Sequence, residues 1–420
     1  MIKGRRCIKV FEYQKLHYGK TYNGVVFLKK HFDALVKLND FHDNKYFTVI
    51  NHGIKFSQYV GILQIDGLTI EILPKIDAST NSKEDWQQAL IDMLKTTKRL
   101  KVNNVGNANV NEQNIHLLDI YFEWYLNELQ TLIHQGLSRQ YYTRQNNLKS
   151  LKGKLIFSKQ ISKNLIHKER FFTNYQVYDH DHLIHQILAR ALKIVEGFSK
   201  GGYLYSRCKT IGLDFPETSE TTIDKKTFSQ LRLNRKTQSY KTALEIARLI
   251  ILNFAPNITS GKENMLALLF EMNTLWEEYI LIRLRQAAKN SDFTILGQRS
   301  KSFWNGIKIR PDIIIKEGEE VICVVDTKWK QISNKKPSMD DLRQMYVYND
   351  YWKSPMSFLL YPSNRQPETF MSPFQTPGIH SCGLAWINVL DNNARLDRRI
   401  GHKLLEKLNL YEPINPGSVN

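Results

Sequence analysis

The chain has 420 residues, of which 42% are hydrophobic, and a formal net charge of +18 at pH 7. This size and apolar content predict two or three domains with proper cores, and the positive charge indicates a polyanionic partner. No stretch approaches the roughly eighteen apolar residues of a membrane span, and the four cysteines lie far apart without metal-ligand spacing. We therefore expect a cytoplasmic protein with reduced thiols and no membrane partner.

Residues 1–110 are predicted to form a β-rich module. Asp66-Gly67 is a typical two-residue hairpin turn, flanked by β-branched and apolar runs. A helix is predicted over residues 83–96, with Ser82 as its N-cap because a serine oxygen can accept a hydrogen bond from the first helical turn. This part of the chain carries no catalytic constellation.

Two further features end the N-terminal module. Glu71 and Lys75 are either a recognition pair or, as we favour, part of a solvated strand face that Pro74 terminates. Residues 103–114 are rich in Asn and Gly and are the best candidate for a linker.

Residues 111–260 are predicted to be mainly helical. Apolar side chains recur at helix spacing from Leu117 to Ile133, and Gly136 follows where a C-terminal cap belongs. A second apolar helix is predicted over residues 183–198. Both stripes are typical of helices that contribute to a core.

The segment DHDHLIH at residues 179–185 has two interpretations. Its histidines and aspartates could hold zinc, but the ligand spacing is irregular and no cysteine is near. We favour helix capping by Asp179 or Asp181, since aspartate is a preferred N-cap residue.

A strongly basic strip runs from Tyr141 to Arg170. Eight basic residues face a single acid there, and tyrosines and phenylalanines are interleaved with them, which is typical of a nucleic-acid surface. A basic surface that is merely solvated is an equally good interpretation. The candidate DNA-binding residues are Arg144, Lys149, Lys152, Lys154, Lys159 and Lys163.

No Gly-Lys pair of the chain completes the G-x-x-x-x-G-K-[ST] motif of a nucleotide-binding phosphate loop. Gly153-Lys154 is followed by leucine and Gly261-Lys262 by glutamate, whereas that motif requires serine or threonine after the lysine. Any nucleotide-driven motor must therefore be a separate protein.

Residues 261–420 are predicted to form a mixed sheet flanked by helices. One long helix is expected over residues 265–288. The elements expected after it are strands near 293–298, 307–315 and 321–328, a helix at 340–351, a strand at 356–361, a loop at 363–378, a last strand at 384–390 and a basic helix at 393–407.

Asp312, Asp326 and Lys328 interrupt the otherwise apolar hairpin of this region. Burying such groups without partners is costly, so the pattern requires a reason. One reason is a magnesium site, because Mg²⁺ prefers one or two carboxylates together with water and phosphate oxygens, and Lys328 would point to the same side as Asp326. An exposed edge hairpin with a weak Asp312–Lys328 ion pair is an equally good interpretation.

The pairing register decides whether Asp312 and Asp326 share a face of the hairpin. They do so only if paired residue numbers have an even sum, which requires a three- or five-residue loop or a β-bulge. A two- or four-residue loop alone would separate them. Pro311 cannot donate a ladder hydrogen bond, so it favours a bulge or an edge position beside Asp312.

The pattern Pro311-Asp312 … Asp326-Thr327-Lys328 resembles the PD-(D/E)xK nuclease signature. Its surroundings are similar to the McrC family, the nuclease subunit of McrBC-type restriction systems. The segments that carry this resemblance are GILQIDGLTIEILPKI at 61–76, LKSLKGKLI at 148–156, FEMNTLWEEYI at 270–280, DLRQMYVYND at 341–350 and LLYP at 359–362.

The resemblance implies an α/β fold, α+β overall, with an N-terminal β-rich module, a helical middle region and a C-terminal restriction-endonuclease-like mixed sheet flanked by helices. It implies a metal-dependent endodeoxyribonuclease in which Asp312 and Asp326 hold Mg²⁺, with Mn²⁺ as a substitute, and Lys328 orients the nucleophile. Glu277, after an aromatic residue, and Gln344, in a Q-x-x-x-Y element, are second-rank catalytic candidates.

The resemblance also implies the partners, namely double-stranded DNA and an AAA+ GTPase of the McrB type, on which residues 1–110 would dock. We expect the isolated chain to cut DNA poorly, and deletion of residues 1–110 to spare the nuclease fold. The alternative function is a non-catalytic DNA-binding or motor-activating adaptor with a decayed nuclease fold, against which the intact Asp312, Asp326 and Lys328 argue.

Overall fold

The computed structural model describes residues 6–65, 67–75, 82–97, 99, 117–256, 264–330, 336–363, 369–374 and 380–408. These residues divide into two compact units. One unit contains the described residues up to 99 together with those from 269 onward, and the other contains residues 117–256 and 264–268. The three-domain division at 1–110, 111–260 and 261–420 stays a prediction.

The N-terminal elements contain short strands and helices. They are β1 (Arg6–Phe11), β2 (Lys15–His17), β3 (Thr21–Tyr22), β4 (Val25–Val26), α1 (Lys29–Phe41), β5 (Phe47–Ile50), β6 (Gly53–Phe56), β7 (Tyr59–Ile65), β8 (Leu68–Leu73) and α2 (Lys83–Thr96). β8 lies between β1, with which it is parallel, and β7, with which it is antiparallel. The mixed α/β character of the prediction is confirmed here.

The middle unit consists of helices and an antiparallel ribbon. Its elements are α3 (Leu117–Gln135), β9 (Gln140–Leu148), β10 (Lys154–Leu155), α4 (Phe157–Asn164), β11 (Phe171–Asp179), α5 (Leu183–Ser199), α6 (Tyr203–Asp214), α7 (Lys225–Gln230), α8 (Lys241–Leu252) and β12 (Phe254–Pro256), and β13 (Asn264–Glu271) begins in it. Helices α3 and α5 each pack on α6 and α8 through buried apolar faces. The predicted helical core of this region is confirmed.

The C-terminal elements build a mixed sheet. They are α9 (Met272–Ala287), β14 (Phe293–Gly297), β15 (Lys301–Trp304), β16 (Ile307–Ile309), β17 (Ile313–Glu317), β18 (Glu320–Thr327), α10 (Met339–Trp352), β19 (Met356–Ser363), β20 (Thr369–Pro373), β21 (Ser381–Asn388) and α11 (Ile400–Lys407). In the described part of the chain the sheet order is β14-β17-β18-β19-β21-β20, with β18, β19 and β21 parallel. Helix α10 packs on β18 and β19, and α9 packs on β14.

Several local predictions are confirmed. Strands β7 and β8 pair up to Ile65 and Leu68, where the predicted hairpin joins them, and Gly67 has a left-handed φ of 68°. Helix α2 has the predicted bounds, and the Ser82 side chain accepts a hydrogen bond from the Asp85 amide. These features depend on short-range chemistry, which is why the sequence indicates them clearly.

Other local predictions are wrong because tertiary contacts override the pattern. Residues 265–288 are not one helix: β13 ends at Glu271 and α9 follows, since the apolar run pairs with β12. The loop predicted at 363–378 contains β20, which pairs with β21. The last helix begins at Ile400 rather than at residue 393.

Two polar predictions are also corrected. Glu71 is 1% exposed and accepts a hydrogen bond from the Gln87 side chain at 2.9 Å, so β8 has no solvated face there and Glu71 is not available for recognition. The N-cap of α5 is His182, without a side-chain cap bond; the Asp181 carboxylate instead accepts bonds from Gln186 and Ser219. The proposed linker at 103–114 lies outside the described residues.

Candidate active site

The hairpin that carries the candidate carboxylates lies inside the C-terminal sheet. Strands β17 and β18 are flanked by β14 on one side and β19 on the other. Residues 313–315 and 323–327 are buried, and Asp326 is 2% exposed. The interpretation as an exposed edge hairpin is therefore wrong.

A bulge in this hairpin places both aspartates on one face. Glu317 pairs with Glu320, so the loop has two residues, and the left-handed φ of 57° at Gly318 suits its first position. The register then shifts, and Ile315 pairs with Cys323 while Ile313 pairs with Val325. The extra residue restores an even pairing sum, and the next position of that register sets Asp312 opposite Asp326.

The position of the bulge differs from the one that the proline suggests. The register changes between Ile315 and Lys316, near the loop, rather than beside Pro311. A two-residue loop alone would have sent the two carboxylates to opposite faces. The bulge is therefore the local feature that assembles the site.

Asp312 is held by the strand opposite it. Its Oδ2 accepts a hydrogen bond from the Thr327 amide at 2.7 Å and another from the Thr327 hydroxyl at 2.9 Å. Burial raises the pKa of the Asp312 carboxyl, and the nearby Glu277 charge raises it further, against the lowering effect of the Thr327 bonds and Lys328. The Thr327 bonds thus fix the carboxylate in place. The nearby positive charge of Lys328 does not offset the effect of burial on its pKa.

Asp326 and Lys328 form an ion pair on the same side of β18. The Lys328 Nζ lies 2.7 Å from the Asp326 Oδ2, which is the contact that the two-residue spacing predicts. Burial raises the pKa of Asp326, and the Asp312 charge adds to that shift. Burial alone lowers the pKa of Lys328, but the charges of Asp326, Asp341 and Asp312 outweigh it, so this lysine stays protonated.

Helix α10 supplies the second group of contacts. The Gln344 Oε1 lies 3.4 Å from the Lys328 Nζ, and the Gln344 amide donates to the Tyr348 hydroxyl at 2.7 Å. The Tyr348 hydroxyl in turn donates to the Arg310 carbonyl at 3.0 Å. Gln344 therefore lies where the Q-x-x-x-Y pattern predicts, beside the lysine.

Asp341, at the start of α10, contacts two lysines. Its Oδ1 lies 3.6 Å from the Lys328 Nζ, and its Oδ2 lies 2.7 Å from the Lys330 Nζ. Asp341 was not predicted as a site residue. Its place in the first turn of a helix that Ser338 caps, a short distance along the chain from Lys328, was the available signal.

Glu277 faces the site from α9 without bonding to either aspartate. The Gln298 side-chain amide donates to the Glu277 Oε1 at 2.5 Å. Burial raises the pKa of Glu277, and the Asp326 charge contributes in the same direction. Glu277 is thus within electrostatic range of the carboxylate pair.

The donor set fits a hard divalent cation. The Asp312 and Asp326 carboxylates meet in a mostly buried place. Both bonds from Thr327 go to the Asp312 Oδ2, and no described residue donates a hydrogen bond to the Asp312 Oδ1. The described chain offers no group of three or more His, Cys, Asp or Glu side chains arranged for a metal. Mg²⁺ does not need one, because it retains waters and binds through one or two carboxylates and substrate phosphate.

A buried carboxylate directly after β1, that of Glu12, supports the segment after Lys328. The Trp329 indole donates to the Glu12 Oε1 at 2.6 Å, and the Lys75 amide donates to the same oxygen at 2.8 Å. The Trp329 amide donates to the Asn273 side chain at 3.1 Å. Glu12, 1% exposed, was missed because its partners lie far away in the sequence.

In the middle unit, the basic strip forms an antiparallel ribbon of β9, β10 and β11 with the short helix α4. The six candidate DNA-binding residues are all exposed. Lys152 lies 4.6 Å from the Tyr175 ring centroid, and Lys159 and Lys163 each lie 5.1 Å from that of Phe172. At Gly153 (φ 73°), a Cβ would lie 2.4 Å from the Asn174 carbonyl oxygen, so glycine is required at this turn.

The histidine segment forms a stacked group rather than a ligand set. The rings of His182 and His185 are 4.0 Å apart, and the His185 ring bonds the His180 carbonyl and the Tyr240 hydroxyl. Burial lowers the pKa of His185 to about 4. Among the described residues, these side chains form no group of three or more metal ligands.

Comparisons with known proteins agree with this architecture. Residues 54–362 match the sequence model of the family described as McrBC 5-methylcytosine restriction system component. Among solved structures, the chain is similar to one in the refined half-complex from a tetradecameric assembly of Thermococcus gammatolerans McrB AAA+ hexamers with bound McrC. The two are 20% identical with a TM-score of 0.67, over 96% of this chain and 99% of that chain.

A second similar structure is the cryo-EM structure of the Thermococcus gammatolerans McrBC complex, with 21% identity and a TM-score of 0.48 over 67% of this chain and 88% of that chain. No curated protein matches the chain. At these identities the structural likeness supports the fold alone. Among the described helices, none combines the length and apolar character that a bilayer crossing requires.

Proposed function

The chain belongs to the McrBC 5-methylcytosine restriction system component family, and from this membership we propose that it is the McrC-type nuclease subunit, a Mg²⁺-dependent endonuclease that cuts DNA. The observation that carries the proposal is the convergence of Asp312, Asp326 and Lys328 at one end of a buried hairpin. A register bulge is needed to bring the two carboxylates together. Two neighbouring buried acids with raised pKa are costly for stability alone and are typical of a functional site.

Asp312 and Asp326 would hold the metal ion, with Glu277 as the third carboxylate within electrostatic range. When bound, Mg²⁺ activates water as a nucleophile and neutralises the charge that builds on the scissile phosphate. Mn²⁺ shares the preference for oxygen ligands and would substitute for it. Burial and a neighbouring carboxylate raise the pKa of both aspartates, and a bound divalent cation would offset both effects.

The chain's own residues would orient the reacting groups. The Lys328 ammonium, kept protonated by three acids, would hold the attacking water and stabilise negative charge on the phosphate. Gln344 fixes the direction of the Lys328 side chain, and Thr327 fixes that of Asp312. These contacts hold the site in one arrangement before substrate binds.

Two observations support a separate motor protein as partner, namely the absent phosphate loop and the similarity to a solved complex. The sequence of the chain has no phosphate loop, so a nucleotide-driven step needs another protein. The similar solved complex contains McrB AAA+ hexamers with bound McrC. We propose that a McrB-type AAA+ GTPase moves along double-stranded DNA and switches on cleavage, and that the exposed ribbon lysines bind DNA phosphates.

The test is a cleavage assay on plasmid DNA with Mg²⁺, with and without the GTPase partner and GTP. We expect poor cutting by the chain alone, strong cutting with the partner, and none from an Asp326→Ala protein that unfolds at a temperature close to that of the wild type. Full cleavage by the folded variant would refute the site. An inactive wild-type chain that still stimulates GTP hydrolysis would favour the adaptor instead.

A further inference from the structure

A small exposed hairpin stands directly beside the candidate active site. We call residues 299–310 the aromatic hairpin; it comprises β15, β16 and a turn at Asn305-Gly306, where φ is 32° and 84°. Asn-Gly with two positive φ angles is the favoured turn for a tight hairpin. Trp304 at its end is 66% exposed, and the neighbouring Phe303 and Ile307 are 43% and 53% exposed.

The composition of the aromatic hairpin favours a nucleic acid. Residues 299–311 contain four basic side chains and no acid. Exposed aromatic groups mark binding surfaces, and aromatic groups among cations are the combination that binds bases and phosphates. Protein interfaces are instead depleted in lysine, so a protein partner is the poorer fit.

One side of the aromatic hairpin is fixed to α10. The Lys301 Nζ donates to the Tyr351 carbonyl at 2.7 Å and lies 4.9 Å from the Trp352 ring centroid, and the rings of Phe303 and Tyr351 are 5.3 Å apart. Lys308 pairs with Ser302, on the face opposite to the one that Lys301 shares with Ile309. The hairpin is therefore anchored, and Lys308 is directed away from the anchor.

The base of the aromatic hairpin is bonded to the candidate catalytic residues. At one end, the Gln298 backbone amide donates to the Asp312 carbonyl at 2.9 Å, and the Gln298 side chain donates to Glu277. At the other end, the Arg310 carbonyl accepts from Tyr348. The chain from Gly306 to Asp312 can span at most about 20 Å, which corresponds to about six base pairs at 3.4 Å each.

We propose that the aromatic hairpin binds the DNA duplex within a few base pairs of the scissile phosphate, with Trp304 against bases or sugars and Arg299 and Lys308 on phosphates. This inference rests on the proposed nuclease function, because that function makes DNA the substrate. The anchored base would set the distance between the gripped segment and the carboxylate pair. The hairpin would thus position the phosphate to be cut.

The experiment measures DNA binding by the full chain carrying Asp326→Asn, so that the probe stays intact. Fluorescence anisotropy with a labelled duplex is recorded over a salt series for three further changes, Trp304→Ala, Trp304→Phe and Lys308→Ala. The matched controls are Phe370→Ala, an aromatic residue 58% exposed on β20, and Lys289→Ala, another exposed lysine of the same unit.

We expect Trp304→Ala to weaken binding roughly five- to hundredfold, as for loss of one stacked base, and Trp304→Phe to retain most of the affinity. Lys308→Ala should lower the slope of log affinity against log salt by roughly 0.9. The controls should bind like the parent protein. A fluorescent adenine analogue in the duplex should respond to the parent and not to Trp304→Ala.

Unchanged affinity in Trp304→Ala and Lys308→Ala would overturn the inference, and so would equal losses in the two controls. Loss of binding to the GTPase partner at unchanged DNA affinity would also overturn it, by showing a protein surface. The nuclease proposal is judged separately by cleavage: if the hairpin variants bind DNA normally while Asp326→Asn alone abolishes cutting, only the hairpin inference fails.

Discussion

The candidate active site and the basic ribbon both concentrate charge, but they do so in opposite ways. In the site, Asp326 is almost fully buried, and this burial together with the Asp312 charge raises its pKa. On the ribbon, Lys152 and Lys154 are exposed and lie in the longest acid-poor stretch of the middle unit. Buried charge costs free energy and so requires a specific chemical reason, whereas exposed charge costs little and provides only an attractive field.

This difference determines what a mutation tests. A substitution in the site should alter the cleavage rate, because it moves or removes a single reacting group. A substitution on the ribbon should alter DNA affinity in proportion to the positive charge that is lost. Substitutions in the two regions therefore separate these behaviours, with Lys330 and the Lys225–Lys226 pair as matched controls.

The largest effect is expected at Lys328. Lys328 and Lys330 follow the same strand and both contact Asp341, but only Lys328 contacts Asp326. Lys328→Ala should lower the single-turnover cleavage rate by at least about a hundredfold, because a charge aimed at the transition state is lost. Lys330→Ala should stay within a few-fold of wild type. Equal losses in the two variants would mean that the lysines serve the structure of this segment.

On the ribbon, the double change Lys152→Glu and Lys154→Glu should weaken DNA binding without a change in the rate at saturating DNA. Each lost phosphate contact lowers the slope of log affinity against log salt by roughly 0.9. The same double change at Lys225 and Lys226, an exposed adjacent pair in the same unit, is the control. An unaltered salt slope would show that the ribbon faces solvent or a protein.

The metal prediction concerns stability rather than rate. Mg²⁺ should raise the unfolding temperature of the wild type, since binding to the folded state alone adds about 2.7 kcal/mol at a hundredfold excess over Kd. Asp326→Asn should abolish most of this gain. Without metal, the variant should be the more stable protein near neutral pH, because the cost of burying the Asp326 charge and its repulsion with Asp312 are both removed. An identical Mg²⁺ response in the two proteins would place the ion elsewhere.

The smallest effect is expected at Glu12. Burial raises the pKa of Glu12 from 4.5 to about 7, against the lowering effects of its bonds to Lys75 and Trp329. The unfolded chain therefore releases this proton at lower pH, so the group's stabilising contribution is complete below pH 4.5 and is lost as pH rises to about 7. Glu12→Gln should remove this loss, with a net gain on the order of 1 kcal/mol above neutral pH and none in acid. Denaturant unfolding at several pH values would measure it; a pH-independent difference would contradict it.

The contacts of Glu12 also revise the expectation for a truncated chain. Deleting residues 1–110 would remove Glu12, the acceptor of the Trp329 indole. It would also remove Arg99, which donates two hydrogen bonds to Glu278 at 2.7 and 2.6 Å. The Glu12 and Arg99 interactions lie within one compact unit. We therefore expect this deletion to destabilise the C-terminal sheet, contrary to the interpretation from sequence, and point mutations are the better test of docking.

The turn of the aromatic hairpin is visible in the sequence, although it was not predicted. Asn305-Gly306 lies between residues of high strand propensity, which is a strong local indication of a tight hairpin. The sequence prediction instead treated residues 307–315 as one strand leading through the Pro311-Asp312 pattern. The structure instead ends β16 at Ile309 and begins β17 at Ile313, and Asp312 lies in the break between them.

Local chemistry in the sequence was sufficient to indicate the candidate residues, the turn at Asp66-Gly67, the cap at Ser82 and the absence of a phosphate loop. Each of these depends on residues that are neighbours in the chain. The two-residue spacing of Asp326 and Lys328 belongs to the same class, because alternation along a strand fixes their common side.

Only the tertiary structure decided that the two aspartates meet. Their common face depends on a bulge near Ile322, and a pattern of residue types is compatible with either register until the strands pair. Lys328 has its partners on α10, and Trp329 has its partner at Glu12, directly after β1. Both come from segments distant in sequence, and no local preference specifies them. Side-chain identity therefore determined which groups were available, whereas long-range pairing determined which of them lie close enough to interact.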